Sequence, residues 1–234
     1  MRAEIPITEL RAALTSVVCA ASSDRERPSM NSVCFDLDMP TPKAMATDGT
    51  WFAERQFEAI VDTAGRAAIS SNRAKKLLAM LADEEGTVVI ATDDTLVRFE
   101  IEKVGRLDCD PVEGFPPLDR VWPNGNGVRM SSIGMNPKLL AKIGKAFACK
   151  KGHGIHFDFH GENTAIVVKS ESTPEMRVAI MPMKQLKIEF SGADDTTPAP
   201  PAAAADTSDT ERPPARGKSK AKPKANGKAA RARA

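Results

Sequence analysis

The three histidines of the chain lie close together, and two of them flank an aspartate in a predicted strand. In the alternating segment 155–160, the side chains of His156, Asp158 and His160 point to one face, because successive residues of a strand face opposite sides. Imidazole and carboxylate groups on one face could bind zinc. A polar, solvent-facing strand explains the same pattern without a ligand. We favour this second interpretation and expect no metal site.

A second acidic group, formed by Asp108, Asp110 and Glu113, could hold a cation, although a connecting loop is the interpretation that we favour. The chain contains no GxSxG, HExxH or phosphate-loop pattern. Its four cysteines lack the C-x-x-C spacing of metal and redox motifs, which is typical of reduced thiols in a cytosol. We therefore expect a protein that is not an enzyme and has no cofactor.

Basic residues form stripes on two predicted helices, where they could meet the phosphates of a nucleic acid. The spacing i, i+4, i+7 places the three lysines of the later helix on one face. Solvated lysines opposite a buried face are common, so a solvent-exposed helix face that binds no ligand explains the stripe as well. The residues concerned are Arg73, Lys75, Lys76, Lys138, Lys142 and Lys145.

The C-terminal segment 191–234 is rich in Pro, Ala and Lys and has no large apolar residue, so we expect it to be disordered. Residues 212–234 contain nine Lys or Arg and no acid, whereas the remaining 24 basic and 31 acidic residues give about −7. Such a tail could bind phosphate backbones by counterion release, or could only aid solubility. The candidate contacts in the tail are Lys218, Lys220, Lys222 and Lys224.

The hydrophobic pattern of the remaining chain repeats three times as strands around a helix, which predicts tandem βαβββ units. The helices are marked by Leu10 to Val18, by a cap at Ser71 or Asn72, and by the pair Asn136-Pro137. The predicted strands are 33–38, 43–47, 51–60, 67–70, 87–91, 96–101, 128–133, 155–160, 164–168 and 176–183.

The composition, 41% hydrophobic and 27% charged, is ordinary for a globular protein. No apolar run approaches the length that spans a bilayer, and no targeting segment is recognisable at the N-terminus. We expect a cytoplasmic, nucleoid-associated protein with no membrane contact.

Three stretches of the sequence resemble the beta subunit of bacterial DNA polymerase III, the sliding clamp. They occur in the order found in that family, and the resemblance covers residues 4 to about 190. The stretches are RPSMNSV (27–33) leading to MATDG (45–49), VEGFPPLDRVWP (112–123) and VAIMPMK (178–184).

The resemblance implies an α+β, clamp-like fold with antiparallel sheets and helices on one side. The clamp family has three domains of two βαβββ units each, whereas this chain matches one and a half domains. We therefore expect a clamp-like domain at 1–123, a half domain at 124–190 and the basic tail at 191–234. Part of the surface that closes the family's ring has no match in this chain, so the resemblance does not decide whether a ring forms.

The resemblance also implies two functional surfaces. In the family, helices present Lys and Arg to duplex DNA without reading its sequence. An apolar cleft between the TDG loop and the MPM strand binds the Leu and Phe side chains of short partner motifs. The three residues after TDG differ from the family's His-Arg-Leu, so motif preference could differ. The cleft residues carried over are Thr47, Gly49, Trp51, Phe52, Pro123, Val178, Met181, Pro182 and Met183.

The function implied is that of a processivity factor, which tethers a DNA polymerase, clamp-loader-type proteins or other clamp-motif proteins to double-stranded DNA as a homo-oligomer. The alternative is a truncated adaptor or decoy that binds clamp-motif peptides without encircling DNA. Both interpretations use the same cleft, and the molar mass in solution separates them.

Overall fold

The computed structural model describes most of the chain up to Met183, and the statements below apply to that part. The predicted strand 128–133 falls mostly outside it, as does the whole tail 191–234 with its four candidate lysines. The described residues are 1–38, 40–93, 95–123, 127–128, 133–147, 154–161 and 163–183.

Three α-helices and twelve strands form within the described residues. The helices are α1 (Ile7–Val17), α2 (Ser71–Met80) and α3 (Pro137–Ala146), and short 3-10 turns occur at Val18–Ala20 and Leu118–Val121. The strands are β1 (Arg2–Pro6), β2 (Ser32–Asp36), β3 (Lys43–Thr47), β4 (Trp51–Gln56), β5 (Ile60–Thr63), β6 (Arg66–Ser70), β7 (Thr87–Thr92), β8 (Val97–Ile101), β9 (Gly105–Cys109), β10 (His156–Asp158), β11 (Ile166–Lys169) and β12 (Met176–Ile180).

The βαβββ order appears twice in full, as β1-α1-β2-β3-β4 and as β6-α2-β7-β8-β9. In a third segment, α3 is followed by β10, β11 and β12, and the strand expected before α3 lies mostly outside the described residues. The number of repeats therefore stays a prediction, as do the domain boundaries at residues 123 and 190.

All the strand pairings are antiparallel, and the sheets exchange strands between the repeats. One sheet has the order β5-β1-β7-β8-β9, so that the first strand of the first unit pairs with the second unit. The other has the order β10-β11-β12-β4-β3-β2-β6. Because β12 pairs with β4, the third segment extends the sheet of the first unit.

The three helices share a single core with the inner faces of both sheets. Leu14 of α1, Leu77 of α2 and Ile143 of α3 are almost completely buried in the same cluster as Phe35 and Phe99. The rings of Phe35 and Phe99 meet edge to face, with 5.6 Å between centroids, and so join the two sheets. Helices on one side of antiparallel sheets agree with the predicted α+β class.

The outer face of the seven-stranded sheet is covered by residues 111–123, which we call the crossing segment. Phe115 and Leu118 of this segment pack on a small apolar cluster that includes Met45 and Phe52 of the sheet. The ring of Trp122 contacts Phe52, with 5.2 Å between centroids. The crossing segment therefore gives the sheet a second covered face, opposite the helices.

Charged side chains beneath the crossing segment form a buried network across several strands. Glu54 on β4 is 1% exposed and Lys43 on β3 is 4% exposed, and their charged atoms lie 3.5 Å apart. Lys43 also reaches Asp119 of the crossing segment at 3.4 Å. Arg177 on β12 donates to Glu54 and stacks on Trp122, 4.0 Å from the ring centroid. The network links the crossing segment, β3, β4 and β12.

The sequence-based prediction found most elements and missed three strands. β1 and β9 alternate buried and more exposed residues, a signal that was present but short. β5, with the sequence IVDT, is an exposed edge strand in which apolar and polar residues do not alternate. The predicted strand 51–60 was wrong at its end, because β4 ends at Gln56 and β5 begins at Ile60.

Two of the three helices begin at capping side chains. Asn136 accepts a hydrogen bond from the Lys138 amide at 3.0 Å, with Pro137 in the first turn, as predicted. The predicted cap of α2 was wrong by one residue, because Ser70 accepts from the Arg73 amide.

We predict that Glu54→Ala lowers the free energy of unfolding by about 3 kcal/mol or more, because it leaves the buried Lys43 ammonium without its nearest buried anion. Asp158→Asn is the matched control, since its pair with Lys169 is exposed and removing it costs less than about 1 kcal/mol. Urea denaturation measures both values. Equal effects of the two substitutions would show that the network does not stabilise the fold.

Candidate functional site

A small apolar cleft of about 90 Å³ opens where the β3–β4 loop, the end of β12 and the crossing segment meet. The loop and β12 are joined directly, because the Met181 amide donates to the Thr50 carbonyl at 3.0 Å. The cleft is lined by Met30, Thr47, Gly49, Trp51, Phe52, Pro116, Leu118, Val121, Ala179 and Met181.

Five of the nine residues predicted for a peptide cleft line this one: Thr47, Gly49, Trp51, Phe52 and Met181. The expected meeting of the TDG loop with the MPM strand is thus observed. Whether a peptide binds there stays a prediction.

The other four predicted residues do not line the cleft. Val178 is completely buried in the helix-side core, because side chains alternate along β12 and its neighbour Ala179 takes the cleft side. Met183 is exposed and its amide donates to the Gly134 carbonyl at 2.9 Å. Pro182 directly follows the lining residue Met181, and Pro123 lies two residues after Val121, but neither proline is among the lining residues.

The lining residues that sequence reasoning missed come mainly from the crossing segment. Pro116, Leu118 and Val121 lie within the VEGFPPLDRVWP stretch, of which only Pro123 was predicted to line the cleft. Ala179 could have been found from its spacing of two residues from Met181. No pattern in the sequence pointed to Met30, which reaches the cleft from the loop before β2.

The β3–β4 loop is built around the Asp48 carboxylate. One of its oxygens, Oδ1, accepts hydrogen bonds from the Thr50 amide at 2.9 Å, the Thr50 hydroxyl at 2.6 Å and the Trp51 amide at 3.2 Å. The Thr47 hydroxyl donates to the Trp51 carbonyl at 2.8 Å. Gly49 has a φ of +86°, which a side chain would strain, and the site of its missing Cβ lies 3.4 Å from Met30. These bonds fix the conformation of the loop, and the bond from the Met181 amide to the Thr50 carbonyl holds it beside the end of β12.

The second carboxylate oxygen of Asp48 faces the helices. It accepts from the Trp51 indole N–H at 3.1 Å and from the Lys142 ammonium of α3 at 2.8 Å. The same ammonium lies 5.6 Å from the centroid of the Trp51 ring. The pKa of Asp48 reflects burial, which raises it, and the bonds from Lys142 and Thr50, which outweigh burial and lower it below its ordinary value.

The six basic residues predicted for the helices lie on α2 and α3, and one of them, Lys142, forms an ion pair with Asp48. Lys75 and Lys76 on α2 are exposed, as are Lys138 and Lys145 on α3. Lys142 is partly buried and bonded to Asp48, and Arg73 is also partly buried. The structure thus brings the α3 stripe next to the cleft loop, although it does not test contact with DNA.

The alternative metal sites are not assembled. Among the residues that the structure describes, no three His, Cys, Asp or Glu side chains are grouped to hold an ion. Asp158 pairs with Lys169 at 3.0 Å, and His156 lies 3.6 Å from Glu171. Asp108 is held by Arg106 at 2.6 Å. These contacts place Asp158 and Asp108 in ion pairs on the sheets.

A larger cavity, of about 460 Å³, is lined in part by the first residues of the crossing segment, Pro111 to Phe115. Its lining includes the charged residues Arg66, Asp93 and Glu113 beside apolar ones, and Arg66 is bonded to Asp36 beneath it. We consider the smaller cleft the better candidate for apolar peptide side chains, because its lining contains no charged residue and ligand sites are mostly apolar.

In the described part of the chain, none of the helices combines the length and apolarity that crossing a membrane requires.

No protein-family model and no curated protein matches the sequence. Solved structures do match. The DNA polymerase III beta subunit from Thermotoga maritima has 14% identity and a TM-score of 0.70, with 80% of this chain and 66% of that chain covered. The C. crescentus beta sliding clamp, with PEG bound to a candidate beta-motif tethering region, has 16% identity and a TM-score of 0.66, with coverage of 79% and 65%.

A third match is the DnaN sliding clamp from Bartonella birtlesii bound to griselimycin, with 18% identity, a TM-score of 0.65, and 79% of this chain and 66% of that chain covered. These likenesses confirm the predicted fold, which is that of the DNA polymerase III beta subunit. The chain spans just under two thirds of the length of the structures it matches.

We predict that the carboxyl group of Asp48 titrates below its ordinary pKa of 3.8 and that Lys142→Met raises this pKa. The stabilisation from Asp48 is complete above the ordinary value and is lost as the pH falls through the lowered folded-state pKa. Carboxyl NMR across an acid titration measures both values. An unchanged pKa in the variant would show that Lys142 does not hold Asp48 in solution.

Proposed function

From the sliding-clamp fold, we propose that this protein is a non-enzymatic scaffold that tethers a DNA polymerase or other clamp-motif proteins to DNA. The observation that carries the proposal is the apolar cleft formed by the Asp48 loop and β12, at the place where the sequence resemblance puts the partner-peptide site. A cytoplasmic, nucleoid-associated location and a homo-oligomer go with this proposal.

The chemistry of the cleft supports an apolar peptide ligand. Its floor is formed by buried groups such as Phe52 and Ala179, whereas Met181 at its edge is 42% exposed. A methionine side chain is unbranched and polarizable, so it can adapt to Leu or Phe of different partners. The crossing segment supplies a rigid wall, because it is held to the sheet by Trp122 and by the Lys43–Asp119 ion pair.

The exposed cations of α2 and α3 support contact with duplex DNA. Lys75, Lys76, Lys138 and Lys145 are ammonium groups on the helix side, opposite the crossing segment. Contacts of this kind reach phosphates and not base edges, so they hold the duplex without selecting a sequence. The basic residues of the tail would add to the same attraction, which depends on salt.

A second candidate is an adaptor that binds clamp motifs without encircling DNA. The observation that favours it is that the chain spans 65–66% of the length of the matched clamps. Light scattering of the full chain, with and without circular duplex DNA, distinguishes the two. A closed ring requires an oligomer, whereas a monomer that binds the peptide supports the adaptor.

We predict that Met181→Glu weakens binding of a Gln-Leu-x-Leu-Phe peptide at least tenfold, because it puts a charge at the edge of an apolar cleft. Fluorescence anisotropy of a labelled peptide measures the affinity. The matched control is Met183→Glu, since Met183 is 54% exposed and lies outside the lining. An equal loss in both variants, or no loss in either, would remove the cleft as the peptide site.

We predict that the triple variant Lys75→Ala, Lys76→Ala, Lys138→Ala reduces the slope of log affinity for duplex DNA against log salt by about three, one for each lost phosphate contact. The loss should be the same for unrelated DNA sequences. Lys169→Ala on the sheet side is the control, and a chain lacking 212–234 measures the contribution of the tail. A triple variant with an unchanged slope would place DNA elsewhere.

A further inference from the structure

One ion pair connects the loop of the cleft to the helix stripe. The Lys142 ammonium lies 2.8 Å from Asp48 Oδ2, with the Lys142 side chain 42% exposed and the Asp48 side chain 16% exposed. Lys142 shares its helix face with Lys138 and Lys145, at spacings of four and three residues. A single cation therefore belongs to both of the surfaces that we assign to ligands.

The groups around this pair make the loop sensitive to it. Asp48 Oδ2 has two donors, the Lys142 ammonium and the Trp51 indole N–H, while its Oδ1 is bonded within the loop. Thr47, Gly49 and Trp51, which flank Asp48, line the cleft. Removing the ammonium leaves a largely buried carboxylate with less compensation for its charge, which weakens the conformation that forms the cleft.

We propose that Lys142 couples the two ligand surfaces, because a DNA phosphate at α3 competes with Asp48 for its ammonium and thereby loosens the cleft loop. This inference rests on the proposed function, since it requires both ligands. Lys142 is then a positioning residue for the peptide site as well as a phosphate contact. The affinity for a partner peptide is therefore lower when DNA contacts α3.

The sign of the coupling follows from charge. A phosphate near Lys142 also approaches the Asp48 carboxylate, and two anions compete for one cation. Linkage requires the reverse effect as well, so that the bound peptide, by stabilising the loop around Asp48, weakens DNA binding by the same factor. For a partly exposed pair we expect a factor near the lower end of the usual range, about fivefold.

The test uses the full chain, a labelled Gln-Leu-x-Leu-Phe peptide and a duplex oligonucleotide. Saturating duplex should weaken peptide binding about fivefold in the unmodified protein. Lys142→Met should bind the peptide with the weaker affinity whether or not DNA is present, while Lys142→Arg should restore the dependence. Lys169→Met is the matched control, because its 3.0 Å pair with Asp158 touches neither surface and should leave the dependence intact.

The environment of Trp51 supplies an independent readout. In a Trp122→Phe background, the fluorescence of Trp51 should shift when duplex is added, because the indole loses its neighbouring ammonium. Lys142→Met should remove this shift. A role for Lys142 in folding alone would not make the signal depend on DNA.

The possible outcomes distinguish a failure of the proposed function from a failure of the coupling alone. Failure of the unmodified protein to bind the peptide or the duplex would overturn the proposed function, and the coupling with it. Binding of both ligands with a peptide affinity that DNA does not change would overturn only the coupling. A peptide affinity that rises with DNA, or a dependence that survives Lys142→Met, would also overturn it.

Discussion

The pairing of β12 with β4 is the constraint on which the other features depend. These strands are more than 100 residues apart in the chain, yet they lie side by side in one antiparallel ladder. Beneath the crossing segment, Glu54 and Arg177 reinforce the ladder with a bond between the two strands. A buried carboxylate is stable only with its cations in place, so this network selects one register for both strands.

The functional geometry follows from that register. Because Ile180 lies opposite Trp51, the chain after β12 meets the Asp48 loop and one wall of the cleft is built. The same pairing brings the third segment of the chain, including α3, close enough for Lys142 to reach Asp48. The apolar cleft and the basic helix face are thus two consequences of one long-range contact, which is why a single ion pair can belong to both.

Local features could be predicted because they depend on neighbours in sequence. The Asn136-Pro137 cap and the bounds of β3 follow from hydrogen bonding and side-chain direction within a few residues. The exposed strand β5 could not be found in this way, because its residues IVDT do not alternate and its strand conformation depends on pairing with the distant strand β1. Likewise, Val178 and Ala179 exchange roles in the cleft, because only the pairing decides which face of β12 is covered by helices.

The amino-acid sequence by itself determined most of the elements, their order along the chain and the basic character of two helix faces, and its resemblance to the sliding clamps pointed to an apolar groove between the TDG and MPM stretches. Tertiary structure alone decided which residues line that groove, since Pro116, Leu118 and Val121 of the crossing segment form part of its lining and no local sequence pattern predicts this. It also decided that Lys142 bonds to a carboxylate 94 residues away, whereas Lys138 and Lys145 on the same helix are exposed. The reason is physical: propensity and periodicity act over a few residues, whereas burial and charge pairing depend on which distant segments the fold brings together.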